Sequence, residues 1–96
     1  SGLVPIELTL ISKPGCHLCE VAREQLATAI LDWQQRNPGS TVTVAERSIL
    51  DDEKLAALYS EEIPVLLING KMHTYWRIDS DRLKAALTEA ANLDTN

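Results

Sequence analysis

The chain has 96 residues, 45% of them hydrophobic, and nine Lys and Arg against fourteen Asp and Glu give a formal net charge of -5. A chain of that size buries roughly 60–65% of its unfolded surface without metals or cross-links, so a single domain over residues 1–96 is expected. The acidic balance and scattered basic residues exclude a phosphate-backbone partner, and the longest apolar run, Val65-Leu66-Leu67-Ile68, is far too short to span a membrane.

Ser1-Gly2, with no initiating Met and no basic-then-apolar build after it, reads as a cloning scar rather than a signal peptide. Ile6, Leu8 and Leu10 alternate with Glu7 and Thr9, the period of a half-buried strand, and Ser12-Lys13-Pro14-Gly15 ends it. Cys16-His17-Leu18-Cys19 follows at once and holds the only two cysteines. From Leu18 onward, Ala22, Leu26, Ala29, Ile30 and Trp33 recur every three or four residues, the buried stripe of a long helix that Asn37-Pro38-Gly39 terminates. Residues 41–45 are β-branched and alternating, which predicts a second strand parallel to the first, since a helical crossover joins them.

Asp51 and Asp52 should cap a short helix with a stripe of Leu55, Leu58 and Tyr59, broken by Glu61-Glu62-Ile63-Pro64. The continuous apolar run at 65–68 predicts a central strand. Asn69-Gly70 is the preferred dipeptide of a two-residue hairpin, so 71–77 should return antiparallel, with Met72, Thr74 and Trp76 on one face. Asp79 or Ser80 should cap a last helix packed through Leu83, Leu87 and Ala90, and a frayed tail is expected over 92–96. The order is β-α-β-α-β-β-α, an α/β fold with a four-stranded mixed sheet and helices on both faces.

One close-spaced cysteine pair in a well-cored chain points to redox or metal chemistry in a reducing compartment, hence a cytoplasmic protein, and not to a disulfide framework. At the first turn of a helix two such sulfurs can close a disulfide. There, unpaired backbone N–H groups and the helix dipole favour the thiolate of the first, the form that attacks disulfides. His17 is open between a solvated residue and a cation that tunes the Cys16 pKa, with Glu20 opposing. Adjacent residues at a helix start rarely converge on one metal and His73 lies on a strand, so no metal site is expected.

Strand, Ser12-Lys13-x-x-Cys16-x-x-Cys19, long helix and then Ile63-Pro64-Val65 before a buried strand resemble the thioredoxin superfamily, and glutaredoxins most of all. Lys13-Pro14-Gly15-Cys16-His17-Leu18-Cys19-Glu20 looks most like the small bacterial glutaredoxin-like domains. The resemblance implies a thioredoxin-like fold, Cys16 as nucleophile, Cys19 as resolving thiol, and Pro64 preceded by a cis bond that turns the Ile63 backbone toward a substrate. It also implies that Lys13 approaches a glutathione carboxylate. The implied activity is thiol-disulfide oxidoreduction on protein or glutathione mixed disulfides, by a monomer with no bound cofactor and glutathione as co-substrate. The alternative is a non-enzymatic redox-sensing or protein-binding module.

Two departures stand out. His17 and Leu18 replace the Pro and aromatic residue typical between glutaredoxin cysteines. The Gly-Gly turn and Asp that clasp glutathione are replaced by Tyr75-Trp76-Arg77-Ile78-Asp79. Asp79 can supply part of such a clasp, and Trp76 with Arg77 can line a groove for another partner.

Overall fold

Alternation along β1 (Ile6–Ser12) sends Ile6, Leu8 and Leu10 to one face of the sheet and Ile11 to the other, all fully buried. The computed structural model describes residues 3–92, so the expected scar at Ser1-Gly2 and the expected tail beyond Asn92 lie outside the described residues. α1 (His17–Arg36) carries the chain back to β2 (Val42–Ser48), which pairs parallel with β1 as the crossover requires. β3 (Val65–Ile68) lies antiparallel on the other side of β1, and β4 (Lys71–Tyr75) pairs with β3, giving the order β2-β1-β3-β4. The hairpin turn is the expected one: Asn69 (φ 51) and Gly70 (φ 83) are both left-handed, the conformation a two-residue loop needs to match strand twist. Asn69 also ties the hairpin to β1, its N–H donating to Glu7 O at 2.7 Å and its Oδ1 accepting from Glu7 N at 2.9 Å.

Two apolar clusters lie on opposite faces. On the first, α1 and α3 (Ser80–Ala91) close over Ile6, Leu8, Leu10 and Leu66 with Leu26, Ile30, Trp33, Leu83 and Leu87. The Trp33 indole N–H, which would otherwise be stranded, donates to Thr88 Oγ1 at 3.0 Å. On the second, α2 (Glu53–Tyr59) lays Leu55 and Tyr59 against Ile11, Cys19, Ile63 and Val65. Asp52 caps α2 through Lys54 N (2.8 Å), and Asp79 caps α3 through Arg82 N (3.1 Å).

Five local expectations change. β2 runs on to Ser48, because a charged edge strand keeps its pairing to β1 without showing apolar alternation. β4 stops at Tyr75, where Trp76 turns left-handed (φ 71). A bulge opposite Leu66 and Leu67 pairs Thr74 with Leu66 but Met72 with Leu67, so these two residues occupy opposite faces and Trp76 belongs to neither row. Leu58 is 63% exposed: a two-turn helix touches the sheet along one line, here Leu55 and Tyr59, and Leu58 lies about 100° of helix rotation from Tyr59. On α3 the buried line is Leu83, Leu87 and Ala91, four residues apart, with Ala90 at its margin.

Candidate active site at the Cys16 helix start

Lys13-Pro14-Gly15 ends β1, and Gly15 (φ 73) supplies the left-handed turn that feeds the chain into α1. Cys16 is the N-cap of α1 in extended conformation (φ -98, ψ 110), and its Sγ accepts a hydrogen bond from Cys19 N at 3.2 Å. A sulfur thus stands where Ser or Asp usually stands, receiving one of the amides that a helix start leaves unsatisfied. Cys16 and Cys19 are joined as a disulfide across a Cα–Cα separation of 5.2 Å. The two are not equivalent. Cys16 is half-buried at the rim, whereas Cys19 is 0% exposed and packed with Ile11, Ile63 and Val65.

The proline loop shares this apolar cluster. Ile63 packs in it beside both cysteines, the Ile63–Pro64 peptide is cis, and the Ile63 N–H and C=O carry no hydrogen bond among the described residues. Pro64 O accepts from Trp76 N at 2.7 Å, and the Trp76 indole N–H donates to Glu61 O at 3.2 Å, so one residue holds both ends of the loop. The Trp76 ring meets Tyr75 edge-on, with centroids 5.0 Å apart. Leu18, Tyr75, Trp76 and Arg77 line a groove of about 470 Å³ that begins at the dithiol motif itself. Arg77 has no ion-pair partner among the described residues.

The remaining residues expected at the site are spread around this centre. His17, the first helical residue, is exposed. Lys13 is exposed on a different hollow, of about 330 Å³, which it shares with Ser12, Arg23, Glu46, Ser48 and Asp51. Asp79 spends its carboxylate on the α3 cap and does not line the Trp76 groove. His73 lies half-buried in a third hollow, against Ile68, Met72 and Ala86, where burial and then Arg82 push its pKa down while Asp79 acts the other way.

Sequence reasoning passed over a polar cluster flanking the motif. The buried Ser12 hydroxyl donates to Glu46 Oε2 at 2.8 Å and Arg23 Nε donates to Glu46 Oε1 at 2.7 Å. The Arg23 hydrogen bond, helped by that of Ser12 and opposed by burial, holds the Glu46 carboxyl below its ordinary value. One signal was present: Ser12 and Glu46 share a face of β1 and β2 in the parallel register, Ser12 pairing with Ser48 two residues on.

A family model for the glutaredoxin-like domain (DUF836) matches residues 7–88, which span every element from β1 to α3. The chain is 34% identical to a structural-genomics target protein from X. campestris, over 86% of this chain and 97% of that one, with a TM-score of 0.65. It is 25% identical to a Nitrosomonas europaea protein of known solution structure, over 90% and 95% of the two chains, also with a TM-score of 0.65. An uncharacterized protein of Mycobacterium tuberculosis shares 29% identity over 88% of this chain and 84% of its own. A mutant thioredoxin from Halobacterium salinarum, 19% identical over 92% of this chain and 76% of that one (TM-score 0.58), shares the fold. With its four-stranded mixed sheet, three helices and Cys-x-x-Cys helix start, the chain has a thioredoxin-like fold and belongs to the glutaredoxin-like domain family.

Proposed function

We propose that this protein is a thiol-disulfide oxidoreductase that reduces protein or glutathione mixed disulfides through Cys16 and Cys19. The observation that carries the reading is the Cys16 sulfur at the N-cap of α1, accepting the Cys19 amide. An N–H aimed at sulfur stabilises the thiolate more than the thiol, and the positive end of a 20-residue helix acts in the same direction. A charged His17 imidazole would add to this.

In the reduced protein, the Cys16 thiolate attacks one sulfur of a substrate disulfide. A Cys16–substrate disulfide forms and the other half leaves as a thiolate. Cys19, having passed its proton to solvent or to the leaving thiolate, then attacks Cys16 Sγ. The internal disulfide forms and the second substrate thiol departs reduced. Two electrons have moved from the protein to the substrate, and two external thiols, glutathione among the candidates, return them. No bound cofactor enters the cycle. The backbone of Ile63, unbonded among the described residues, offers a donor and an acceptor beside Cys16 for an extended substrate, and Lys13 would meet a carboxylate on the opposite flank. We assign the protein to the cytoplasm, acting as a monomer. No helix among the described residues is long and apolar enough to cross a membrane.

Reduction of insulin and of hydroxyethyl disulfide tests the proposal against Cys16→Ser. Wild-type rates at least 100-fold above the variant are expected. Equal rates would overturn the reading and leave a redox-sensing module in its place.

A further inference from the structure

We infer that the groove of Leu18, Tyr75, Trp76 and Arg77 selects the substrate: an extended protein segment with a large apolar side chain beside its disulfide cysteine and a carboxylate within reach of Arg77. The inference rests on the oxidoreductase reading and names the substrate class for that same site.

The position of the groove comes first. Leu18 lies between the two cysteines in sequence, and Trp76 N–H is bonded to Pro64 O, so the floor of the groove joins the dithiol motif to the proline loop. A segment paired with the free Ile63 backbone would send alternate side chains to either side, one set falling toward this groove.

The lining is unusual for a surface. Leu18, Tyr75 and Trp76 are each about half exposed although large and apolar. The chain's other tryptophan shows the difference: Trp33 is 3% exposed and serves the core, while Trp76 is 55% exposed and serves no cluster. Trp76 is nonetheless held firmly. Its backbone is left-handed, its amide and indole N–H groups both donate to the proline loop, and its ring rests on Tyr75. A rigid, half-exposed aromatic wall loses little side-chain freedom when a partner covers it, which is how aromatic anchors contribute most to binding. Glutathione, with no large apolar side chain, cannot fill it.

Charge gives the segment its second requirement. Arg77 is the only charged residue lining the groove and has no ion-pair partner among the described residues, in a chain whose net charge is -5. A carboxylate on the bound segment therefore finds its one opposite charge at Arg77.

The test uses the full chain, pre-reduced, in single turnover. Two peptides, Glu-Leu-Cys-Leu-Glu and Lys-Gly-Cys-Gly-Lys, are presented as mixed disulfides with 2-mercaptoethanol, alongside hydroxyethyl disulfide. The wild-type second-order rate constant should favour the apolar acidic peptide by at least about tenfold. Arg77→Glu should cut that preference several-fold, and Leu18→Ser, at an exposed position that spares the proline loop, should reduce it as well. Equal rate constants for the two peptides with hydroxyethyl disulfide still reduced, or an unchanged preference in Arg77→Glu, would overturn this inference alone. Failure to reduce any of the three disulfides would overturn the oxidoreductase reading and this inference with it.

Discussion

The two faces of the sheet are built to different standards. Under α1 and α3, Ile6, Leu8, Leu10, Leu26, Leu66, Leu83 and Leu87 form a sealed layer, and even the Trp33 N–H has a partner. Under α2 the buried set is only Ile11, Cys19, Ile63 and Val65, and its cover of Cys16, Ile49, Leu55, Tyr59 and Leu67 is partly open to water. The first face contributes stability through apolar burial at about 25 cal/mol per Å². The second leaves at its rim a sulfur, a proline loop and Ile63 backbone groups that are unpaired among the described residues. The dithiol thus lies where the packing is thin, which is where the proposed exchange with a second disulfide would need it.

Substitution should separate the two faces. The largest effect on stability is expected from Leu10→Ala, in the sealed layer, which should cost about 2–5 kcal/mol in urea denaturation while leaving the alkylation rate of Cys16 in the folded, reduced protein unchanged. A cost under about 1 kcal/mol would erase the distinction. Trp33→Phe should follow, losing about 1–2 kcal/mol because the Thr88 bond and part of the ring go. Trp76→Phe should cost less stability than Trp33→Phe but slow peptide disulfide reduction several-fold; the reverse ranking would put Trp76 in the core instead.

Glu46→Gln sharpens the comparison at the β1–β2 edge through pH. With Glu46 held below its ordinary value near 4.5, its contribution is fully present above that pH and is lost as pH falls through the lower folded value. The variant should therefore melt a few degrees below wild type at neutral pH, and the gap should close in strong acid. A gap independent of pH would mean the Arg23 contact does not act through charge. Smallest of all, Leu58→Ala should change stability by under about 0.5 kcal/mol, since Leu58 faces water.

Much of this arrangement was legible in the chain. The Pro-Gly turn before Cys16 forecast a helix start at the dithiol. Asn69-Gly70 forecast the hairpin, and the spacing from Ala22 to Trp33 forecast the inner face of α1, all local signals that tertiary contacts reinforce. What was not legible depends on partners distant in sequence. Leu58 could not be told from Leu55 without knowing that α2 meets the sheet along one line. The bulge that separates Met72 from Thr74 is a property of the β3–β4 pairing, invisible to strict alternation. Trp76 was open between a strand residue covering the sheet and a groove residue with Arg77, and its left-handed backbone and bonds to Pro64 and Glu61, set by partners distant in sequence, were not legible.

The account turns on the ionisation of one sulfur, and the pH profile of alkylation of the reduced protein by iodoacetamide reads it directly. Cys19 is sealed, so the reaction reports Cys16. The rate should inflect at least about one unit below the free-cysteine value of about 8.5. An inflection at or above that value would contradict the claim that the start of α1 holds Cys16 as a thiolate.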